Sequence, residues 1–354
     1  CILVLRTVRG GSSTVFTPHI STALGVGLAI FSLAVFIGFI HHVATTLQAQ
    51  TVITSVTDEL NETIDRLYPH PPRKPKPEQP DSTEAFDSSA TRRESSSPLH
   101  GFAVVRTIGS RSAGYLQALD QGTLRYLAES SGSVLRVMVL PGDFLGVGQP
   151  VLEVLRPAEP TPFSPDEDFD SEAASAFLTG SRRTPRQDVG CGVLELVEMA
   201  VRALSPGIND PFTAQSCVDY LSDSLCRLAT RPGPSTEYRG DDGNLCVITR
   251  ELPFADVLDI AIRPIRFHAG GSLLVIAALL RGLHRIARQV QTVSTARAVL
   301  EQADAVVATA RDSFKLPVDV RTAETLHDHV TSLVLERFPA ITEDSLQPLA
   351  VAAE

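Results

Sequence analysis

"ISTALGVGLAIFSLAVFIGFI", residues 20–40, is apolar apart from serine and threonine. The uncharged window around it is wider: from Gly10 to Thr57 there is no Asp, Glu, Lys or Arg. About 20 helical residues cross a hydrocarbon core of about 30 Å. Leu, Ile, Phe and Val each favour insertion by roughly 0.3–0.6 kcal/mol at its centre. A buried core helix is seldom so long, and a signal peptide needs a basic start and a small-residue cleavage site that this run lacks. The stretch therefore predicts a membrane span. Residues 1–44 read as a membrane segment: a stub at 1–5, beginning internally at Cys1, and one full span at 20–40. Gly25 and Gly27 are not four apart, so no GxxxG packing face is expected. His41 and His42 fall at the expected water interface. Neighbouring helical positions point about 100° apart, which favours two interfacial imidazoles over a shared proton or metal site.

Beyond the span, Leu47, Val52, Val56, Leu60, Ile64 and Leu67 keep a helical period, predicting an amphipathic stalk over 45–68. Residues 69–99 are rich in proline, serine and mixed charge and read as a disordered linker. Residues 100–157 read as a small β-rich module. "SAGYLQALD" predicts a strand and "QGTLRYLAES" a short helix, and "SVLRVMVL" and "PVLEVL" are strands separated by a Pro141-Gly142-Asp143 turn. The module has no lysine, which excludes a lipoyl or biotin carrier. Residues 173–354 read as mainly helical. "SLLVIAALL" is too short to span a bilayer and predicts a core helix. His327 and His329, two apart on a helix, predict a solvated face. The expected fold class is thus an α+β membrane protein: membrane segment, β-rich module, helical bundle.

The net charge of −10 disfavours nucleic-acid binding, which needs clustered Lys and Arg. Much of that charge lies in the flexible-looking stretch 165–172. The five cysteines, Cys1, Cys191, Cys217, Cys226 and Cys246, are scattered and without metal spacing. They predict small buried thiols in a reducing compartment. No cofactor or metal signature is present.

"VRALSPGINDPFTA", residues 201–214, holds the densest turn chemistry. Val193, Leu194, Val197, Ala200, Val201 and Leu204 form one apolar stripe that ends at Pro206 and Gly207. Asp210 is placed to cap the next helix, with Pro211 at its first position. A helical hairpin over 188–229 follows. Asn209 tolerates an unusual turn backbone, yet its amide is also suited to orient a ligand. The candidate functional loop is Arg183, Gln187, Asp188, Arg202, Ser205, Asn209, Asp210 and Thr213. A structural corner is the stronger reading of the turn, with a functional loop held by rigid helices as the other.

"VEMAVRALSPGINDPFTA", with "RRTPRQD", "SAGYLQALD", "FIHHVATTLQ" and "VLRTV", resembles the predicted bacterial membrane proteins of the domain-of-unknown-function family 2254. The likeness runs from Val4 to about His268. It implies a four-span protein of the bacterial inner (plasma) membrane whose last span is 20–40, followed by a soluble domain. It implies no activity. Arg6 and Arg9 before the span favour a cytosolic amino-terminal side; the family layout and the unpaired cysteines favour the reverse, a cytoplasmic soluble domain, which is the expectation here.

Expected partners are a lipid bilayer, further copies of the chain through the stalk's apolar face, and a small-molecule or ion ligand. Three functions follow. Transport, channel-like activity or sensing with a soluble regulatory domain comes first. A membrane-anchored oligomeric scaffold is second. An enzyme with a polar pocket in the 182–213 region is third, because no nucleophile, metal or nucleotide motif supports it.

Overall fold

In a computed structural model of the chain, residues 19–46, 49–69, 101–157 and 168–341 are described. The stub at 1–5, Arg6, Arg9, residues 70–99 of the expected linker and residues 165–167 of the acidic stretch lie outside them. The chain divides into two units, 1–55 and 56–354.

In the first unit, α1 (His19–Thr46) is a 28-residue helix. Leu24, Val26, Leu28, Ile30 and Phe31 are all exposed, so its apolar side chains point all round. His41 and His42 belong to α1, but their side chains lie outside what is described. Among the described residues no helix is long and apolar enough to cross a membrane. This overturns the expected span at 20–40 and the membrane-spanning part of the fold class; the α+β organisation stands.

α2 (Ala49–Leu67) continues into the second unit. Its apolar stripe is occupied there. Leu60 and Ile64 are each 1% exposed, and Leu60 lies over Gly192, where an added Cβ would meet it at 3.1 Å. Of the face expected to serve self-association, Leu60 and Ile64 are covered by the chain itself, Val52 is exposed, and Leu47 lies outside the described residues.

The β-rich part has two sheets. The strands are β1 (Phe102–Gly109), β2 (Gly114–Leu119), β3 (Val134–Val137), β4 (Phe144–Leu145), β5 (Pro150–Pro157), β6 (Phe177–Gly180), β7 (Glu237–Arg239) and β8 (Leu245–Ile248). One sheet has the order β1-β5-β3-β8-β7, the other β4-β2-β6. All pairs are antiparallel except β3 with β8. α3 (Gln121–Ser131) is capped by Asp120, which accepts from the Gly122 and Thr123 amides at 3.1 Å. α3 and α4 (Phe169–Ser175) enclose a core of Leu116, Leu124, Leu135, Leu145, Leu152 and Val247.

β6, β7 and β8 come from a stretch expected to be mainly helical. β8 is four residues, "LCVI", and pairs with β3 through Leu135 and Val247. A four-residue apolar run has no period of its own, and its partner lies over a hundred residues earlier. Pairing decides such a strand, and local pattern does not reveal it.

The remaining helices are α5 (Val189–Ala203), α6 (Pro211–Ala229), α7 (Phe254–His268), α8 (Leu273–Ala287), α9 (Val293–Ser313) and α10 (Pro317–Arg337). Val275, Ile276, Leu279 and Leu280 on α8 are wholly buried, so "SLLVIAALL" is a core helix. His327 departs from the solvated face. Its Nε2 lies 2.5 Å from Asp304 Oδ1 with the side chain 16% exposed, and that hydrogen bond holds its pKa above the usual histidine value. His329 packs edge-on against His284, with ring centroids 6.4 Å apart.

Candidate functional site

The corner between α5 and α6 is built from local bonds. The Asp210 carboxylate accepts from the Phe212 amide at 3.2 Å and the Thr213 amide at 3.1 Å, and Thr213 Oγ1 donates to it at 2.6 Å. Ser205 Oγ donates to the Arg202 carbonyl at 2.7 Å, and the Asn209 amide donates to the Ser205 carbonyl at 2.9 Å. Asn209 has φ +49°, the left-handed conformation that asparagine tolerates. Each of these residues closes one helix or opens the other.

The bonds from Thr213 hold the Asp210 pKa below the usual carboxylate value. A depressed folded-state pKa gives stability that is present above the unfolded value and lost as pH falls through the folded one. Asp210→Ala is expected to cost about 0.5–2 kcal/mol at pH 7. The gap from wild type should close as acid protonates Asp210, in urea melts recorded from pH 7 downward. A gap unchanged down to pH 2 would show that the carboxylate is not the capping group.

A different part of the candidate loop converges on a cleft. Residues 181–188 link β6 to α5. Arg183 Nε donates to Asp188 Oδ2 at 2.7 Å and Nη2 to Oδ1 at 2.9 Å. The Asp188 side chain is 2% exposed and that of Arg183 26%. Gln187 pairs its amide with the Leu119 backbone, accepting from the Leu119 N–H at 2.8 Å and donating to its carbonyl at 3.1 Å. Arg66, at the end of α2, donates to the Pro185 and Arg186 carbonyls at 2.9 and 3.2 Å. The loop is thus pinned at both flanks.

The Pro141-Gly142-Asp143 turn packs directly on the ion pair. Gly142 has φ +98°. An added Cβ would lie 2.5 Å from Asp188 Oδ2 and 2.6 Å from Arg183 Nη2. Its amide donates to the Leu116 carbonyl at 2.7 Å, and the Asp143 carbonyl accepts from the Leu116 amide at 2.8 Å, which ties the turn to β2. Glycine serves here for both its backbone freedom and its lack of bulk.

Arg183, Gln187 and Asp188 with Arg66, Tyr68, Asp143, Tyr238, Arg250 and Glu251 line a cleft of about 400 Å³. Arg202, Ser205, Asn209, Asp210 and Thr213 do not line it. The structure therefore splits the candidate loop: three members meet in the cleft and five form the corner. Tyr68, Arg250 and Glu251 were not singled out from sequence. Tyr68 directly follows α2 and Glu251 lies in an unpatterned segment, so neither carries a local signal.

Tyr68 is 8% exposed, and its hydroxyl has no hydrogen-bond partner among the described residues. Burial, with Glu251 and Asp188 nearby, pushes its pKa up to about 12, so the phenol stays protonated at neutral pH. Cys191, on the first turn of α5, is also pushed up to about 12, by burial and then by Asp188 and Glu195. A thiol held protonated is a poor nucleophile. Among the described residues no group of three or more His, Cys, Asp or Glu is placed to hold a metal ion.

Residues 1–285 match the family described as "Predicted membrane protein (DUF2254)". An uncharacterised protein of Mycobacterium tuberculosis (strain H37Rv) is 28% identical over 299 residues, which is 84% of this chain and 54% of the relative. An uncharacterised protein of Mycobacterium bovis matches with the same identity and coverage. The chain thus spans about half the length of the curated relatives it matches. No solved structure matches.

Proposed function

The chain belongs to the DUF2254 family of predicted membrane proteins, and from that premise we propose that residues 56–354 form a sensing module that binds a small polar molecule in the Arg183–Asp188 cleft. One observation carries this reading: four separate segments, 66–68, 141–143, 183–189 and 249–252, meet around one cleft of about 400 Å³. Its floor is a two-bond ion pair and its walls hold polar groups. Such a concave site with a few convergent polar groups is the usual form of a small-molecule site. The covalent route from the cleft to residues 19–46 is α2, whose last turn supplies Arg66 to the pinned loop. A change in the loop on ligand binding would thus be felt by that helix. Transport draws no support here, since no described helix is long and apolar enough to cross a membrane.

Ser235 lies on the cleft wall and is exposed, and its hydroxyl donates to the nearby Glu237 carbonyl at 2.9 Å. Ser235→Trp is expected to fill the mouth without disturbing the core. A thermal-shift screen of small polar metabolites should give compounds that stabilise the wild-type chain by about 2–3 kcal/mol at a hundredfold excess over Kd. The same compounds should leave Ser235→Trp unshifted. Equal shifts in both proteins, or none in wild type, would contradict the reading.

A further inference from the structure

The second half of α8 carries Arg281, His284 and Arg285, and α10 packs along that helix. Between the two helices is a cleft of about 260 Å³, lined by these three residues with Leu280, Leu326 and His329. It shares no residue with the first cleft. We propose that it binds a small carboxylate with an apolar body, the carboxylate on Arg281 and the body against Leu280 and Leu326. This is a second ligand site, and it does not rest on the sensing reading of the first.

The first argument is charge. Four of the six lining residues are Arg or His and none is acidic, in a chain whose net charge is −10. Carboxylates on the neighbouring helices are already engaged: Asp219 with Arg285 Nη2 at 2.9 Å, and Asp304 with His327 at 2.5 Å. Arg281 is exposed and makes no side-chain hydrogen bond or ion pair among the described residues. A guanidinium presents a flat fork of N–H groups that fits a carboxylate two bonds at a time. His284 adds a donor. Its Nδ1 is buried and has no partner among the described residues. A buried lone pair without a partner is tolerated more readily than a buried N–H, which puts the ring proton on Nε2. An ammonium entering this cleft would meet basic groups and no carboxylate.

The second argument is shape. The walls are mostly carbon. Leu280 is wholly buried and Leu326 half-buried. The His284 and His329 rings meet edge to face, with centroids 6.4 Å apart and planes at 67°. A bare inorganic anion would leave that carbon surface uncovered, whereas an apolar body covers it. The volume lies below the roughly 300–1,000 Å³ of drug-sized sites, so the body is a single ring or a short chain.

The test is a calorimetric titration of the purified chain at neutral pH with benzoate, benzyl alcohol, benzylamine and inorganic phosphate. The expected result is saturation with benzoate alone. Arg281→Gln should weaken benzoate about tenfold or more, as loss of a charge-assisted bond requires. Arg288→Gln removes the same charge just past the end of α8, from an exposed side chain that does not line the cleft. It should leave benzoate affinity unchanged. Both arginines are exposed, so both variants should keep the wild-type melting temperature. Ser235→Trp, at the mouth of the first cleft, should bind benzoate as wild type does. Unchanged affinity in Arg281→Gln, or equal loss in the two arginine variants, overturns the proposal. So does benzyl alcohol, benzylamine or phosphate matching benzoate, or saturation with none of the four. Loss of benzoate binding in Ser235→Trp would move the carboxylate to the first cleft and overturn the second site while leaving the sensing cleft standing.

Discussion

Arg183→Ala should destabilise the chain by about 3–5 kcal/mol, the usual cost of leaving a buried charge without its partner. The reason is the asymmetry of the pair. The Asp188 side chain is 2% exposed and the Arg183 side chain 26%. Removing the arginine strands a carboxylate that water cannot reach. Removing the acid leaves a guanidinium that still meets solvent at its edge. Asp188→Asn is therefore expected to cost less than Arg183→Ala. Arg183→Lys should fall between wild type and Arg183→Ala, because an ammonium keeps the charge but not the two-bond fork. Urea unfolding of the three variants checks the order. A cost below about 1 kcal/mol for Arg183→Ala, the range of a surface pair, would show that the ion pair is not the floor of the site.

Gly142→Ala should be nearly as damaging and for a separate reason. A non-glycine residue held at positive φ costs of order 1–3 kcal/mol. The new methyl would also lie 2.5 Å from Asp188 Oδ2 and 2.6 Å from Arg183 Nη2, so either the turn or the ion pair must shift. The variant should lose stability and also lose the thermal shift given by the compounds that stabilise wild type. Gly207, in the corner, has open space around its position and no positive φ. Gly207→Ala is the control and should leave binding unchanged. Equal behaviour of the two glycine variants would place the sensitive turn elsewhere.

The two turns show how much was legible in the sequence. The corner was, because its logic is local. Pro211 starts a helix, Asp210 caps it two and three residues on, and Asn209 takes the unusual backbone. The cleft was half legible. Arg183, Gln187 and Asp188 stand in one short charged segment and drew notice as a group. Their partners did not, because Gly142 lies about forty residues earlier and Glu251 about sixty later, and only the folded sheets bring them close. "PGD" read as a turn, but nothing within it tells that the turn rests on an ion pair. The strands β6 to β8 were missed for the same reason: each is too short to carry a period. The apolar run at 20–40 taught a different lesson. Composition predicted a span, and among the described residues no helix is long and apolar enough to cross a membrane.

The central claim is that a ligand is read by the cleft and not by the 205–213 corner. Amide hydrogen exchange, with and without a compound that stabilises wild type, tests it most directly. The account predicts slowed exchange across 140–143, 183–189 and 249–252, with the corner amides unchanged. Slowed exchange confined to the corner, with the cleft segments unaffected, would contradict it.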